Sequence, residues 1–384
     1  MGDSVSGLAV FGSTGSIGRQ TLDVVRGLRR HFRVVALSGG RNVTLLQEQA
    51  REFSPRFVCY DGNESPAKNV IGVKGVDCLP MEAMATHPDV DIVVIATVGK
   101  AGLFSTLAAL EAGKTVALAN KEVLVMAGKL VVEAARRGHG EIRPIDSEHS
   151  AIWQCLRGEK NASIRRLILT ASGGALRDKN IEELRRVTPE QALSHPTWQM
   201  GRKITVDSAT LLNKGLEAIE ARWLFDVPLD RIEIVLHRES IVHSLVEFTD
   251  GSLKAQIGTP DMRVPIQVAL CYPERPPLPS VPYLDLKRIG SLHFAELKLD
   301  HYPCLALALE AGHRGGTYPA VMSAADEVAV GAFLSGQIGF MRMPEIIDDT
   351  LNAHEGIGDP TLDDVMAADV WAREHAENAI GART

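Results

Sequence analysis

A glycine-rich turn near the amino terminus restricts the possible folds of this chain more than any other feature. The apolar run at residues 8–11 leads directly into Gly-Ser-Thr-Gly-Ser-Ile-Gly at residues 12–18, and apolar side chains then recur at helical spacing. Another apolar run follows at residues 32–37. Glycines at such a turn let the backbone approach a pyrophosphate, which the amides of the helix start can bind. Although the spacing is G-x-x-G-x-x-G, the context predicts an α/β fold with an N-terminal Rossmann-like dinucleotide-binding domain.

The end of the second predicted strand indicates which dinucleotide is bound. This strand runs into Ser-Gly-Gly-Arg-Asn at residues 38–42. An NAD site usually places an acidic residue here for the ribose hydroxyls, and none is present. Arg41 instead offers a guanidinium to a 2′-phosphate. The sequence therefore favours NADPH as the cofactor.

Polar residues follow two further predicted strands. The run at residues 115–119 ends in Asn120, Lys121 and Glu122, at the carboxyl end of a strand, where α/β sheets bind ligands. We interpret Lys121 as a contact to substrate oxygen; the alternative is a surface lysine beside a glutamate. The strand predicted at residues 142–145 is followed by Asp146 and Glu148, which an extended backbone would place on one side.

Two such carboxylates, with a third from elsewhere, suit one divalent ion, Mg²⁺ or Mn²⁺, better than zinc. The alternative is that Asp146 or Ser147 caps a helix over residues 151–156, which leaves Glu148 without a role. We expect His149 to support or pack against this group.

Polar and charged side chains of chemical interest are most concentrated at residues 195–217. We predict that Ser208 caps a helix on which Asn213, Lys214 and Glu217 share one face. Hydroxyls and free amides at a helix start, with a nearby ammonium, favour a bound phosphate with a carboxylate one turn further on. The alternative is an ordinary solvated polar face.

Residues 195–203 have no helical or strand period and contain Trp198, Met200 and Gly201. This predicts a mobile lid whose tryptophan covers a ligand, with ordinary core packing of Trp198 as the alternative. The turn Ala-Ser-Gly-Gly at residues 171–174 is a second candidate anion site.

The remaining patterns divide the chain. We expect a dinucleotide-binding domain at residues 1–146, a central α/β catalytic domain at 147–271 with a lid at 191–203, a proline-rich linker at 272–297 and a C-terminal α-helical bundle at 298–384. Strands are predicted at residues 165–170, 232–237, 241–248 and 252–257, and helices at 306–311, 318–334, 343–352 and 362–379.

Composition narrows the partners and the compartment. The chain has 41 basic and 48 acidic residues, a net charge of −7 and no long basic run, which argues against nucleic acid. Its longest apolar runs are too short to span a membrane. Five scattered cysteines, without a Cys-x-x-Cys pair, favour a reducing compartment. We expect a cytoplasmic protein with a small-molecule substrate.

These segments closely resemble one family, the 1-deoxy-D-xylulose 5-phosphate reductoisomerases of the non-mevalonate isoprenoid pathway, and the resemblance covers the whole chain. It rests on G-S-T-G-S-I-G at residues 12–18, A-N-K-E at 119–122, P-I-D-S-E-H at 144–149, A-S-G-G at 171–174, H-P-T-W-x-M-G-x-K at 195–203 and V-D-S-A-T-L-x-N-K-x-L-E at 206–217.

The resemblance implies an NADPH-dependent enzyme with one Mg²⁺ or Mn²⁺ per site and a homodimer. It implies that Asp146, Glu148 and Glu217 bind the metal, that Ser172, Ser208, Asn213 and Lys214 bind phosphate, that His195 contacts substrate from the lid, and that Lys121 and Ser147 contact sugar hydroxyls. The cofactor would lie on Thr14, Gly15, Ser16, Ile17, Gly40, Arg41, Asn42, Asn120, Glu122 and Gly201.

The implied reaction is a retro-aldol and aldol rearrangement followed by reduction, giving 2-C-methyl-D-erythritol 4-phosphate, with the metal stabilising an enolate. Two departures stand out. Ala175-Leu176 replaces the Pro-Phe that is usual in the family, and Ser323 and Asp326 replace two asparagines; we expect only packing effects. The alternatives are another NADP-dependent dehydrogenase of a phosphorylated carbonyl compound and a non-catalytic NADPH-binding sensor.

Overall fold

The computed structural model describes residues 5–60, 72–198 and 200–381. The chain divides into two compact units. The first comprises residues 1–123, 129–150 and 261–282, and the second residues 124–128, 151–260 and 283–384. Within the described residues, no helix is long and apolar enough to cross a membrane. Cys155, Cys271 and Cys304 are buried thiols.

The first unit is built on a seven-stranded parallel sheet, in the order β4-β3-β2-β1-β5-β6-β7. Its central strand β1 is buried almost throughout, as expected of a parallel strand covered on both faces. The strands are β1 Ser6–Phe11, β2 Phe32–Gly39, β3 Phe57–Tyr60, β4 Asp77–Cys78, β5 Ile92–Ile95, β6 Thr115–Leu118 and β7 Glu141–Pro144.

Helices cover this sheet. Residues of α1 and α11 share a hydrophobic core with β1 and β2, including Leu22, Ile266 and Leu270. The helices are α1 Ser16–Gly27, α2 Val43–Phe53, α3 Met81–Ala85, α4 Leu103–Glu111, α5 Lys121–Gly138, α6 Ser147–Cys155 and α11 Arg263–Cys271. Parts of α5 and α6 belong to the second unit.

The glycine turn follows β1 and requires its glycines. Gly12 has a φ of +82°, and a Cβ there would lie 2.3 Å from the Ala96 carbonyl oxygen. A Cβ at Gly18 would lie 2.2 Å from the Gly12 oxygen. The strand, turn and helix predicted from the sequence are confirmed.

The second unit contains a four-stranded sheet, in the order β11-β10-β8-β9. Strand β10 is antiparallel to β8 and β11, whereas β8 and β9 are parallel. The strands are β8 Ile164–Ala171, β9 Ile232–Leu236, β10 Val242–Phe248 and β11 Leu253–Ile257. All four lie where the sequence predicted strands.

The same unit holds the helices that complete the chain. A large core joins α9 and α10 to the C-terminal helices, and Ala175 and Leu176 pack in it, as expected for this departure from the family pattern. The helices are α7 Ile181–Leu184, α8 Pro189–Ala192, α9 Arg202–Thr210, α10 Leu212–Phe225, α12 Leu286–Ile289, α13 Pro303–Arg314, α14 Tyr318–Leu334, α15 Arg342–Ala353 and α16 Leu362–Gly381.

Candidate active site

The glycine turn presents backbone amides to an anion. Gly15 precedes α1 without a side-chain cap, and the first turn of that helix carries no acidic residue. The partial positive charge of the helix start is therefore not offset by a carboxylate on that turn. Thr14, Gly15, Ser16 and Ile17 lie at the start of α1. The backbone amides at such a helix start suit a pyrophosphate.

Strand β2 ends beside this turn and leads into α2. Asn42 caps α2 by accepting a hydrogen bond from the Leu45 amide at 3.1 Å. Arg41 is exposed just before the cap, and the first turn of α2 has no acidic residue. A guanidinium and a helix start that lacks acidic side chains suit a phosphate.

The Asn-Lys-Glu segment lies at the end of β6 and is largely buried. Asn120 donates to the Thr97 hydroxyl at 3.1 Å and to the Gly99 carbonyl at 2.9 Å. Lys121 is buried and forms an ion pair with Asp146. The alternative of a solvated surface lysine is therefore wrong. Glu122 lies in the first turn of α5 and is also buried.

The Asp146 to Glu148 segment has a different backbone from the one expected. Helix α6 begins at Ser147, four residues before the predicted start, so the two carboxylates do not alternate along a strand. Asp146 accepts a hydrogen bond from the Ser147 amide at 3.0 Å, and the Ser147 hydroxyl donates to Glu148 at 2.6 Å. Asp146 thus stabilises the helix start, while Glu148 lies in its first turn. His149 is fully buried, consistent with a packing role.

The prediction that Ser208 caps the phosphate helix is wrong. Ser208 lies inside α9. The helical conformation is interrupted at Leu211, which adopts φ 56° and ψ 13° between α9 and α10. The hydroxyl at the start of α10 belongs to Thr210, which accepts a hydrogen bond from the Leu212 amide at 3.2 Å. A left-handed leucine has no local sequence signature, because side chains with a Cβ rarely adopt this conformation.

Asn213, Lys214 and Glu217 form one hydrogen-bonded cluster on α10, in which Lys214 and Glu217 are buried. The Lys214 ammonium lies 2.5 Å from one Glu217 oxygen, and the Asn213 amide donates to the other at 2.6 Å. The side chains of Lys214 and Glu217 are 5% and 2% exposed. The alternative of a solvated polar face is therefore wrong.

Ser172 and His195 are hydrogen bonded in the second unit. The His195 Nδ1 accepts from the amides of Thr197 and Trp198, at 3.1 and 2.9 Å. In the neutral ring the proton is consequently on Nε2, which donates to the Ser172 hydroxyl oxygen at 3.1 Å. Burial, with a contribution from the Arg177 charge, lowers the pKa of His195 to about 4. The imidazole is a neutral donor at neutral pH.

The turn that carries Ser172 packs against α9. Gly174 has a φ of +70°, and a Cβ there would lie 2.3 Å from the Ser208 carbonyl oxygen. The Gly174 amide also donates to the Ser172 hydroxyl oxygen at 3.2 Å. Ser172, His195 and the end of α9 at Ser208 therefore lie close together.

The predicted lid at residues 191–203 begins with Gln191 and Ala192 in α8 and ends with Arg202 and Lys203 in α9. Trp198 and Met200 are half-buried, and the Trp198 ring centroid lies 6.3 Å from that of His243. Position 199, inside this segment, lies outside the described residues. The mobility of the segment stays a prediction.

Sequence reasoning missed an ionic cluster next to this segment. The Lys203 ammonium lies 2.7 Å from Asp207 and 2.8 Å from Asp326, and both aspartates are buried. The expectation that Asp326 affects packing alone is therefore wrong. The spacing of Lys203 and Asp207, four residues apart on a helix, was a usable signal.

Two further buried residues were also missed. On β10, burial lowers the pKa of His243 to about 4, and the charges of His237 and Lys214 act in the same direction. In the first unit, Gln49 on α2 contacts the glycine turn. Isolated histidine or glutamine residues give no periodic signal in a sequence.

Comparisons with known proteins agree over nearly the whole chain. Models of 1-deoxy-D-xylulose 5-phosphate reductoisomerase match residues 8–128, and models of its C-terminal domains match residues 142–225 and 257–375. The protein of that name from Geobacillus kaustophilus (strain HTA426) is 51% identical over 383 residues, covering 97% of this chain and 99% of its own. That from Bacillus cereus (strain Q1) is 51% identical over 372 residues, covering 95% and 97%.

Solved structures give the same result. A crystal structure of DOX-P reductoisomerase in complex with NADPH, fosmidomycin and magnesium has a TM-score of 0.92 and 40% identity, over 98% of both chains. The enzyme from Zymomonas mobilis in complex with NADPH has a TM-score of 0.90 and 40% identity, over 98% of this chain and 99% of its own.

Proposed function

This chain belongs to the 1-deoxy-D-xylulose 5-phosphate reductoisomerase family, and from that membership we propose which of its residues carry the reaction. It is an oxidoreductase that uses NADPH and a divalent metal to convert 1-deoxy-D-xylulose 5-phosphate into 2-C-methyl-D-erythritol 4-phosphate. The observation that carries this conclusion is the match to enzymes of that name along almost the entire chain. The residue roles below are supported by the contacts within each unit.

For NADPH, we propose that the glycine turn binds the pyrophosphate and that the start of α2 binds the 2′-phosphate. The uncapped start of α1 and the exposed Arg41 guanidinium support both assignments. The proposed cofactor residues are Thr14, Gly15, Ser16, Ile17, Gly40, Arg41 and Asn42, with Asn120 and Glu122 nearer the nicotinamide and Gly201 approaching from the lid.

For the substrate phosphate, we propose Ser172, Ser208, Asn213 and Lys214. The Ser172 oxygen already accepts hydrogen bonds from His195 and the Gly174 amide, so its own proton is directed toward another acceptor. His195, held neutral, donates without adding charge to the site. A phosphate bound in this way keeps the substrate anchored while its carbon skeleton changes.

For the metal, we propose Asp146, Glu148 and Glu217. The donor set fits: all three offer carboxylate oxygen, which Mg²⁺ and Mn²⁺ prefer, and none offers sulfur. When bound, the ion supplies positive charge that stabilises negative charge on substrate oxygens. We propose that Lys121 and Ser147 contact the sugar hydroxyls.

Two of these carboxylates are already neutralised by lysines of their own unit. Lys121 pairs with Asp146, and Lys214 pairs with Glu217. Both lysines are proposed substrate contacts. We therefore propose an exchange of partners on ligand binding: these carboxylates would hold the metal, and the two ammonium groups would turn to the sugar and the phosphate. Buried charges stay compensated in both states, which limits the desolvation cost.

The chemistry places two demands on the chain. A carbon–carbon bond breaks and re-forms before hydride transfer, so the branched aldehyde has to remain bound between the steps. Lys214 and Ser172 hold the phosphate end throughout, and Lys121 keeps an ammonium near the oxygens that gain negative charge. Trp198 and Met200 on the lid segment would exclude water during this interval.

We propose that the chain forms a homodimer and acts in the cytoplasm. Strand β11 is an edge of its sheet and exposes Leu253 and Ile257, which are 55% and 43% accessible. Such an edge is suited to pairing with a second copy. The buried thiols of Cys155, Cys271 and Cys304 fit a reducing compartment. Sedimentation of the wild type and of Leu253→Lys tests the dimer; a wild-type monomer would contradict it.

The activity is tested by NADPH oxidation with 1-deoxy-D-xylulose 5-phosphate, in the presence of Mg²⁺ or Mn²⁺ and then of EDTA. We expect metal-dependent oxidation with the branched polyol phosphate as product, and NADPH binding that survives EDTA. Oxidation without a branched product would favour a plain dehydrogenase. NADPH binding without turnover would favour a sensor.

A further inference from the structure

The segment from β2 to α2 contacts the glycine turn at several points. The Ser38 carbonyl oxygen accepts from the Gly12 and Ser13 amides, at 3.1 and 2.7 Å. A Cβ added to Gly39 would lie 3.0 Å from the Thr14 methyl group, so the Thr14 side chain packs directly against Gly39. The conformation of the turn therefore depends on this segment.

Gln49, on α2, makes the most specific of these contacts. Its Oε1 accepts from the Ser13 hydroxyl at 2.7 Å, and its Nε2 donates to the Ser13 carbonyl at 2.9 Å. Ser13 is fully buried and Gln49 is 5% exposed. Paired hydrogen bonds from one amide to both polar groups of one residue fix the position and the orientation of that residue.

The same helix carries the proposed 2′-phosphate segment. Asn42 caps α2, and Arg41 precedes it. Gln49 lies seven positions after Asn42, a rise of about 10 Å along the helix. Leu46, between them, is fully buried and would lie 3.4 Å from a Cβ on Gly39. Helix α2 therefore connects the two proposed cofactor segments: it is hydrogen bonded to the glycine turn through Gln49, and Arg41 lies just before its start.

We propose that Gln49 is a positioning residue for NADPH, which sets the spacing between the pyrophosphate turn and the 2′-phosphate segment. This rests on the proposed cofactor residues. NADPH contacts both segments and gains from their fixed spacing, because a preorganised site loses less freedom on binding. NADH lacks the 2′-phosphate and therefore gains less from a fixed spacing between the glycine turn and the 2′-phosphate segment. Loss of Gln49 therefore weakens NADPH more than NADH.

The test compares Gln49→Met with Gln47→Met, a matched change on the same helix. Dissociation constants for NADPH and NADH are measured by fluorescence titration of the full-length protein, without substrate. We expect Gln49→Met to weaken NADPH about tenfold and NADH about threefold or less. The KM for the phosphosugar should stay unchanged, and Gln47→Met should match the wild type.

Ser13→Ala, which removes only the hydroxyl, keeps the test informative if Gln49→Met folds poorly. It should show a smaller shift in the same direction, and the double variant should be no weaker than Gln49→Met alone. Equal losses for NADPH and NADH, or no loss in a folded variant, would overturn the proposal. A wild type that fails to bind NADPH would instead overturn the proposed function.

Discussion

Replacing Glu217 by glutamine separates the metal role of this residue from its role in the fold. In the structure the Glu217 carboxylate lies 2.5 Å from the Lys214 ammonium, with both side chains almost fully buried. Glutamine keeps the acceptor for Asn213 but removes the charge. We expect turnover to be abolished, because an amide is a poor ligand for Mg²⁺. NADPH binding should persist, because the proposed cofactor residues other than Gly201 lie in the first unit.

The stability cost follows from burial. Removing one partner of a buried ion pair costs about 3–5 kcal/mol, because the remaining charge loses its compensation. The hydrogen bond to Asn213, which glutamine retains, is worth about 1 kcal/mol. We therefore expect Glu217→Gln to lower the free energy of unfolding by about 3 kcal/mol. A native protein with about 5–15 kcal/mol of stability survives this loss.

Urea unfolding measures this change, and a second substitution identifies its cause. Lys214→Met in the Glu217→Gln background removes the buried ammonium, so we expect most of the lost stability to return without any return of activity. Glu182→Gln is the matched control, since Glu182 and Arg185 are also three residues apart but lie 62% exposed or more. It should change stability by less than about 0.5 kcal/mol.

Two results would refute this reasoning. Wild-type turnover by Glu217→Gln would show that the residue does not bind the metal. An unchanged unfolding midpoint, with no recovery in the double variant, would show that the ion pair does not stabilise the fold. Loss of NADPH binding in a folded variant would contradict the assignment of the cofactor to the first unit.

Three further predictions concern other charged groups. Arg41→Ser should raise the Kd of NADPH at least about tenfold and leave that of NADH nearly unchanged, measured by fluorescence titration; equal effects would contradict the 2′-phosphate role. Because the folded pKa of His243 is about 4, the unfolded chain binds more protons between pH 6.5 and 4, so stability falls as the pH drops through this window. His243→Gln should flatten this pH dependence in urea unfolding, and an unaltered profile would exclude His243 as its source. Lys203→Met should lower the free energy of unfolding by about 3–5 kcal/mol, because it leaves two buried aspartates without their ammonium partner. Asp326→Asn should lower it much less, since Asp207 remains beside Lys203, and the opposite order of urea unfolding midpoints would contradict this.

Much of the first unit followed from local sequence. The strand, glycine turn and helix at residues 6–27 were predicted from the sequence. The turn could be identified because its backbone requires glycine: a Cβ at Gly12 or Gly18 would collide with the backbone. Apolar runs predicted β1, β2, β6 and β7 of the first sheet and all four strands of the second, since strand burial is a property of short segments, whereas β3 and β4 were not predicted. The residue types for a dinucleotide, a phosphate and a hard cation could likewise be identified without coordinates.

Tertiary structure decided which of these groups are buried and with what partner. The sequence allowed Lys121 and Lys214 to be surface residues, but the fold buries them against Asp146 and Glu217. It also joins Lys203 to Asp326, which is more than a hundred residues away in the chain. Helix α9 ends at Thr210, and the left-handed residue that follows is Leu211 and not a glycine. Local propensity specifies short segments, whereas the pairing of buried charges depends on which distant segments are packed together, and only the folded chain determines that.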